Sequence, residues 1–195
     1  TKNNWKIFYY KYMWISFKNR AGVKRLQKGR LFWVTGLSGA GKTTISTLLY
    51  KYLKRKKNNI VFIDGDQIRE VYQNKDYSEE GREKISFTNM RLCKMLTDQD
   101  IDVIIAVIGM RDVYREWNRK NFENYFEIYL EVPIEILIER DSKGLYSKVL
   151  CHEIANVYGI DMPYEEPKCP DIKICNDSSK TPEEVCQMII DRLNL

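Results

Sequence analysis

No apolar run in this chain approaches the roughly 20 residues that a membrane-spanning helix needs, and no h-region with a small-residue cleavage site opens it. A soluble protein of the cytoplasm is the expectation. The five cysteines, Cys93, Cys151, Cys169, Cys175 and Cys186, are odd in number and lack the C-x-x-C or Cys/His spacing of a disulfide framework or zinc site, which favours a reducing compartment. Internal repeats and low-complexity tracts are also missing. Acid is missing from one place only: nine of the 32 basic residues and none of the 27 acids fall in residues 1–30, so the rest of the chain is net acidic. That remainder shows no clustered Lys/Arg face, and nucleic acid is not an expected partner.

What is present divides at about residue 30. Residues 1–29 form a basic, aromatic extension in which Trp5, Ile7, Phe8, Tyr9, Tyr10, Tyr12, Met13, Trp14, Ile15 and Phe17 fall nearly all round a helical wheel. Packing on its own domain or on a second subunit, or the end of an upstream region, fits that pattern better than an interfacial membrane anchor through residues 5–17, because an anchor displays a polar face. A chain beginning at Thr1 is expected to be processed or truncated. Residues 30–195 are apolar enough to form one domain without staples.

From residue 31 short apolar runs alternate with helical patterns. RLFWVTG, NNIVFIDGD, IDVIIAVIG, YFEIYLEV and DIKIC read as five strands. Between and after them lie helical patterns beginning at Lys42, at 79–99 (Ile85, Leu92, Met95, Leu96), at 112–122, from Pro133 to Arg140, and from Thr181, whose Pro182 and Glu184 complete a helix start. The last helix is expected to bury Val185, Met188, Ile189 and Leu193. The fold class is therefore α/β, with a parallel five-stranded sheet flanked by helices. Ligands in such sheets bind beyond the carboxyl ends of the strands, which directs attention to 36–44, 64–69, 108–111 and 141–170.

Gly36, Gly41, Lys42 and Thr43 satisfy G-x-x-x-x-G-K-[ST] between a strand and a helix. This is a phosphate loop, and the fold is of the P-loop NTPase type. Its residues Gly36, Leu37, Ser38, Gly39, Ala40, Gly41, Lys42, Thr43 and Thr44 are the expected ATP-binding set, with backbone N–H groups turned to the phosphates, Lys42 on the β- and γ-phosphates and Thr43 on Mg²⁺. No switch glycine follows the second strand and no Asn-Lys-x-Asp selects guanine, which leaves a small-molecule kinase rather than a GTPase. Asp64 and Asp66 end the second strand. One can serve the metal, here assigned to Asp64, and the other, Asp66, can accept a proton from an attacking hydroxyl; their plainer roles are turn and helix caps.

The segments FWVTGLSGAGKTT, FIDGDQIR, ERDSKGLYSK and GIDMPYEEP, in this order, resemble the adenylylsulfate kinase family from about residue 31 to the C-terminus. The resemblance implies a P-loop kinase, usually a homodimer, that moves the γ-phosphate of ATP to the ribose 3′-hydroxyl of adenylyl sulfate under a mobile lid around RDSKGLYSK. It implies Lys42 and Asp66 as catalytic residues, Arg69 and Arg82 on the acceptor's phosphate, Ile108 in the acceptor pocket, and Arg140 and Lys143 closing over both ligands.

The departures fall on the acceptor side. Where the family runs Asp-Arg-x-x-Asn-Ile-Arg-Arg, this chain keeps Arg82 but has Gly81, Ile85, Ser86, Phe87 and Thr88. The aromatic residue expected to stack on the acceptor's base is Val157, followed by Tyr158, which takes its place only if the loop shifts by one residue. Gly109 replaces a serine. Three readings follow: an adenylylsulfate kinase; a relative that phosphorylates another nucleotide-like acceptor, such as a cytidine diphosphate compound in surface-polysaccharide synthesis; and a non-catalytic ATP-binding module. A pure binding module needs neither a base nor an acceptor grip, which disfavours the third.

Overall fold

The computed structural model describes residues 27–141 and 143–195. The aromatic residues 5–17 and most of the 1–29 extension lie outside the described residues, as does Ser142. Twelve elements follow in order: β1 (Leu31–Thr35), α1 (Lys42–Lys56), β2 (Ile60–Asp64), α2 (Gly65–Val71), α3 (Glu79–Thr97), β3 (Asp102–Ala106), α4 (Asp112–Asn121), β4 (Tyr125–Glu131), α5 (Ile134–Arg140), α6 (Leu145–Leu150), β5 (Ile172–Cys175) and α7 (Pro182–Leu193). Among the described residues no helix is long and apolar enough to cross a membrane.

The five strands form one sheet in the order β2-β3-β1-β4-β5, and every neighbouring pair is parallel. Its central strands β1 and β3 are buried along their whole length, as helices on both faces require, whereas the edge strand β5 alternates buried and exposed residues. Alternation sorts β1: Phe32 and Val34 join Ile45 and Leu49 of α1 and Val185 and Ile189 of α7, while Leu31 and Trp33 face Met90 and Cys93 of α3 and Tyr114 of α4. Leu49 is fully buried, so truncating it to Ala costs about 2–5 kcal/mol.

Helix ends follow local chemistry. The α7 start is a full capping box: Thr181 accepts from the Glu184 amide and Glu184 returns to the Thr181 backbone. Ser78 caps α3 by accepting from the Gly81 amide.

Three expectations need correction. In α3 the buried positions are Gly81, Ile85, Asn89, Met90, Cys93 and Thr97, whereas Met95 is 55% exposed. The inward stripe combines Ile85 and Met90 with the small or polar Gly81, Asn89, Cys93 and Thr97, which an apolar count does not register. In α7 the fully buried residues are Val185, Cys186, Ile189 and Ile190, with Met188 and Leu193 at the margin of the core. Finally, the 141–170 stretch contains α6, made possible by Asp141, whose carboxylate accepts from the amides of Tyr146 and Ser147 in its first turn.

Candidate active site

The phosphate loop leaves β1 and opens α1. Gly36 sits at φ 152°, and a Cβ there would lie 2.5 Å from the Leu130 carbonyl oxygen; Gly39 and Gly41 take φ 76° and 86°. Only glycine adopts these conformations without strain. Surrounding side chains hold the loop's carbonyls: the Tyr146 hydroxyl donates to Ser38 O at 2.8 Å, and Asn176 Nδ2 donates to Ala40 O at 2.9 Å. In a trans peptide the N–H points opposite the C=O, so the amides of Gly39 and Gly41 lie on the other side of these bonds, and both glycines line the cavity.

That cavity, about 380 Å³, brings together most of the expected site. Ser38, Gly39, Gly41, Lys42, Thr43, Thr44, Asp64, Asp66, Arg69, Arg82, Ile108, Lys143 and Tyr158 all line it. Gly36, Leu37 and Ala40 are buried behind the loop rather than on the cavity wall. Arg140 is not a lining residue either. It donates to Asn176 O at 2.7 Å, to Ser178 Oγ at 2.6 Å and weakly to Gly39 O of the loop at 3.5 Å.

Lys42 is half-buried and donates to Leu37 O at 2.7 Å. Desolvation, reinforced by Lys143, lowers its pKa from 10.5 to about 8, with Asp66 and Asp64 opposing the shift. Asp64 is buried and is the N-cap of α2, accepting from the amides of Asp66 at 2.9 Å and Gln67 at 3.3 Å, while its other oxygen accepts from Thr43 Oγ1 at 2.6 Å. The cap therefore belongs to Asp64, and Asp66 lies in the first turn, exposed, with its carboxylate ion-paired to Lys143. Although β3 separates β1 from β2, its terminal Ala106 is small, and Thr43 reaches across to Asp64. Hydroxyl and carboxylate oxygens in contact form a hard donor pair. Among the described residues no group of three or more His, Cys, Asp or Glu could hold a metal, so a cation here needs phosphate oxygens as further ligands.

Beyond Asp66 the wall becomes cationic and aromatic. Arg69 Nη1 donates to Asn74 Oδ1 at 2.9 Å and to Asp76 O at 3.0 Å, which fixes its guanidinium 4.6 Å from the Tyr77 ring. Arg82 donates to Tyr77 O at 2.9 Å and lies 5.5 Å from the Tyr77 ring and 4.8 Å from that of Tyr158. Tyr77 lines the cavity and was missed from sequence; an aromatic residue immediately before the Ser78 cap was the available signal. Val157 is 3% exposed and belongs to the core, while Tyr158 lines the cavity. Gly109, at φ 50°, lies against Trp33, whose ring carbon would be 2.7 Å from any Cβ there.

A phosphate loop at the end of β1, a carboxylate pair at the end of β2 and a cationic segment over them define a P-loop kinase, an ATP-dependent phosphotransferase that acts on a hydroxyl. The adenylylsulphate kinase family model matches residues 28–175, and the chain belongs to that family. It is 41% identical over 165 residues to a cytidine diphosphoramidate kinase of Campylobacter jejuni, covering 85% of this chain and 96% of the relative. It is 38% identical over 165 residues to a probable adenylyl-sulfate kinase of Pyrococcus abyssi, covering 84% and 94%. An APS kinase of Mycobacterium tuberculosis, solved with AMPPNP and APS, superimposes with a TM-score of 0.78 at 29% identity over 86% of this chain and 99% of that one.

Proposed function

We propose that this chain transfers the γ-phosphate of ATP to a ribose hydroxyl of a nucleotide acceptor of the adenylyl sulfate type. The observation that carries this reading is that a single cavity is lined by the phosphate loop, by Asp66 and by Arg69 and Arg82. Lys42 and the loop amides hold the β- and γ-phosphates, and the two arginines hold the acceptor's own phosphate. Asp66 takes the hydroxyl proton as the acceptor oxygen bonds to the γ-phosphorus and the bond to the ADP oxygen breaks. Lys143 exchanges its partner Asp66 for the transferring phosphoryl group, which frees the carboxylate. The Thr43 hydroxyl and Asp64 suit Mg²⁺, which neutralises phosphate charge when bound.

Adenylyl sulfate is the acceptor that the family resemblance implies. A cytidine diphosphoramidate acceptor is a second reading, and one observation favours it: Val157 is committed to the core and Ile85 replaces an amide, so the base wall of the family is rebuilt around Tyr158. A forfeited base-stacking ring is worth about 1–3 kcal/mol per base. The relative from Campylobacter jejuni agrees with that reading. Coupled ADP-release assays with MgATP and either acceptor test both. Turnover with neither acceptor, together with tight ATP binding, overturns the proposal in favour of a binding module. Asp66→Asn is expected to lower transfer by about 10²–10⁴-fold with ATP affinity nearly unchanged. Persistent transfer would remove Asp66 from its role. A homodimer is part of the proposal, checked by light scattering with and without residues 1–29.

A further inference from the structure

Asn89 has no part in the phosphoryl transfer described above. It lies on α3 one turn beyond Ile85, in the stripe that also buries Met90 and Cys93, and is 4% exposed. Its Oδ1 is buried without a hydrogen-bond partner among the described residues, yet the residue lines the cavity beside Ile85, Ser86, Met110 and Tyr114. A buried amide with an empty acceptor is costly in an apolar wall, and such an atom calls for an explanation. Ile85 and Met110 are apolar and buried, so the lining around the carboxamide suits a flat ring with a polar edge. The position matters too. Asn89 is seven residues past Arg82, about 10 Å along the helix axis from the arginine assigned to the acceptor's phosphate.

We infer that Asn89 reads the base of the acceptor. Its Oδ1 accepts from an exocyclic amine, and its Nδ2 donates to the adjacent ring nitrogen, the pairing that one carboxamide makes with cytosine or adenine. Uracil and hypoxanthine present a carbonyl and a ring N–H at the same places, so they pair with Asn89 only when its carboxamide turns over by about 180° and moves its acceptor out of the place it holds in this structure. The ligand class is therefore a nucleotide with an amino-bearing base. This inference deepens the proposed function and rests on its placement of the acceptor.

Calorimetric titration of the whole chain, saturated with Mg²⁺ and AMPPNP so that the phosphate loop is filled, separates the sources. The titrants are CDP against UDP, and AMP against IMP. The wild type is expected to bind the amino-bearing member of at least one pair about tenfold or more tightly, and the pair that shows it identifies cytosine or adenine. Asn89→Leu, which removes the carboxamide while keeping its approximate volume, is expected to bring that preference within about twofold. Asn89→Ala repeats the test if the leucine variant does not fold. Equal binding within both pairs by the wild type, or an undiminished preference in a folded variant, overturns the inference while leaving phosphoryl transfer to the assays above. Failure of all four nucleotides to bind, with no turnover, overturns the proposed function as well.

Discussion

At the scale of single residues, the site is built from groups whose ordinary behaviour is altered by a few neighbours. Lys42 is the clearest case. Its folded pKa of about 8 lies below the unfolded 10.5, so between these values the unfolded chain binds more protons, and this group makes stability rise with pH through that window. Binding follows the opposite course, because the ammonium that attracts phosphate is present below about pH 8 and lost above it. The KM for ATP is therefore expected to rise as pH passes 8, and a flat KM profile from pH 7 to 9.5 would contradict the shift. Gly36 makes a steric prediction. Gly36→Ala places a methyl 2.5 Å from the rigid Leu130 carbonyl and is expected to cost about 1–3 kcal/mol, read as a lower denaturation midpoint.

At the scale of elements, the short α6 links the loop to the chain that covers it. Asp141 caps its first turn, and Tyr146, 2% exposed, reaches Ser38 O. Tyr146→Phe removes this tie and nothing else, at a cost of about 0.5–1.5 kcal/mol. The KM for ATP is expected to rise severalfold in that variant, with Tm lowered by no more than a few degrees. At the other end of the fold, Thr181→Ala opens the capping box of α7 and is expected to remove about 1 kcal/mol. For a chain of this size that lowers Tm by about 2–4 °C, measured by calorimetry, with kinetics unaffected.

At the scale of the whole molecule, ligand binding and folding are linked because the phosphate loop, α2 and Lys143 come from distant parts of the chain and meet at one cavity. MgATP at about 100 times its Kd is expected to add about 2.7 kcal/mol to stability, a rise in Tm of several degrees. EDTA is expected to reduce that rise. An identical shift with and without chelator would count against a metal at Thr43 and Asp64.

The sequence by itself determined the strands, the phosphate loop and the carboxylate pair, because each depends on local rules: apolar runs set strands, glycines at fixed spacing set the loop, and Asp64 and Asp66 sit where a strand must end. Arg69, Arg82 and Lys143 were singled out by the family resemblance and Tyr158 by a one-residue shift of its loop, and all four line the cavity. Only the tertiary structure decided the strand order, the hydrogen bonds of Arg140 to Asn176 and Ser178 and the exposure of Met95, since these depend on which surfaces meet across the sheet. It decided the lining of the proposed acceptor side for the same reason. Tyr77 and Asn89 carry no motif, and their significance comes from the cavity they share with residues far away in the chain, a property that no local pattern contains.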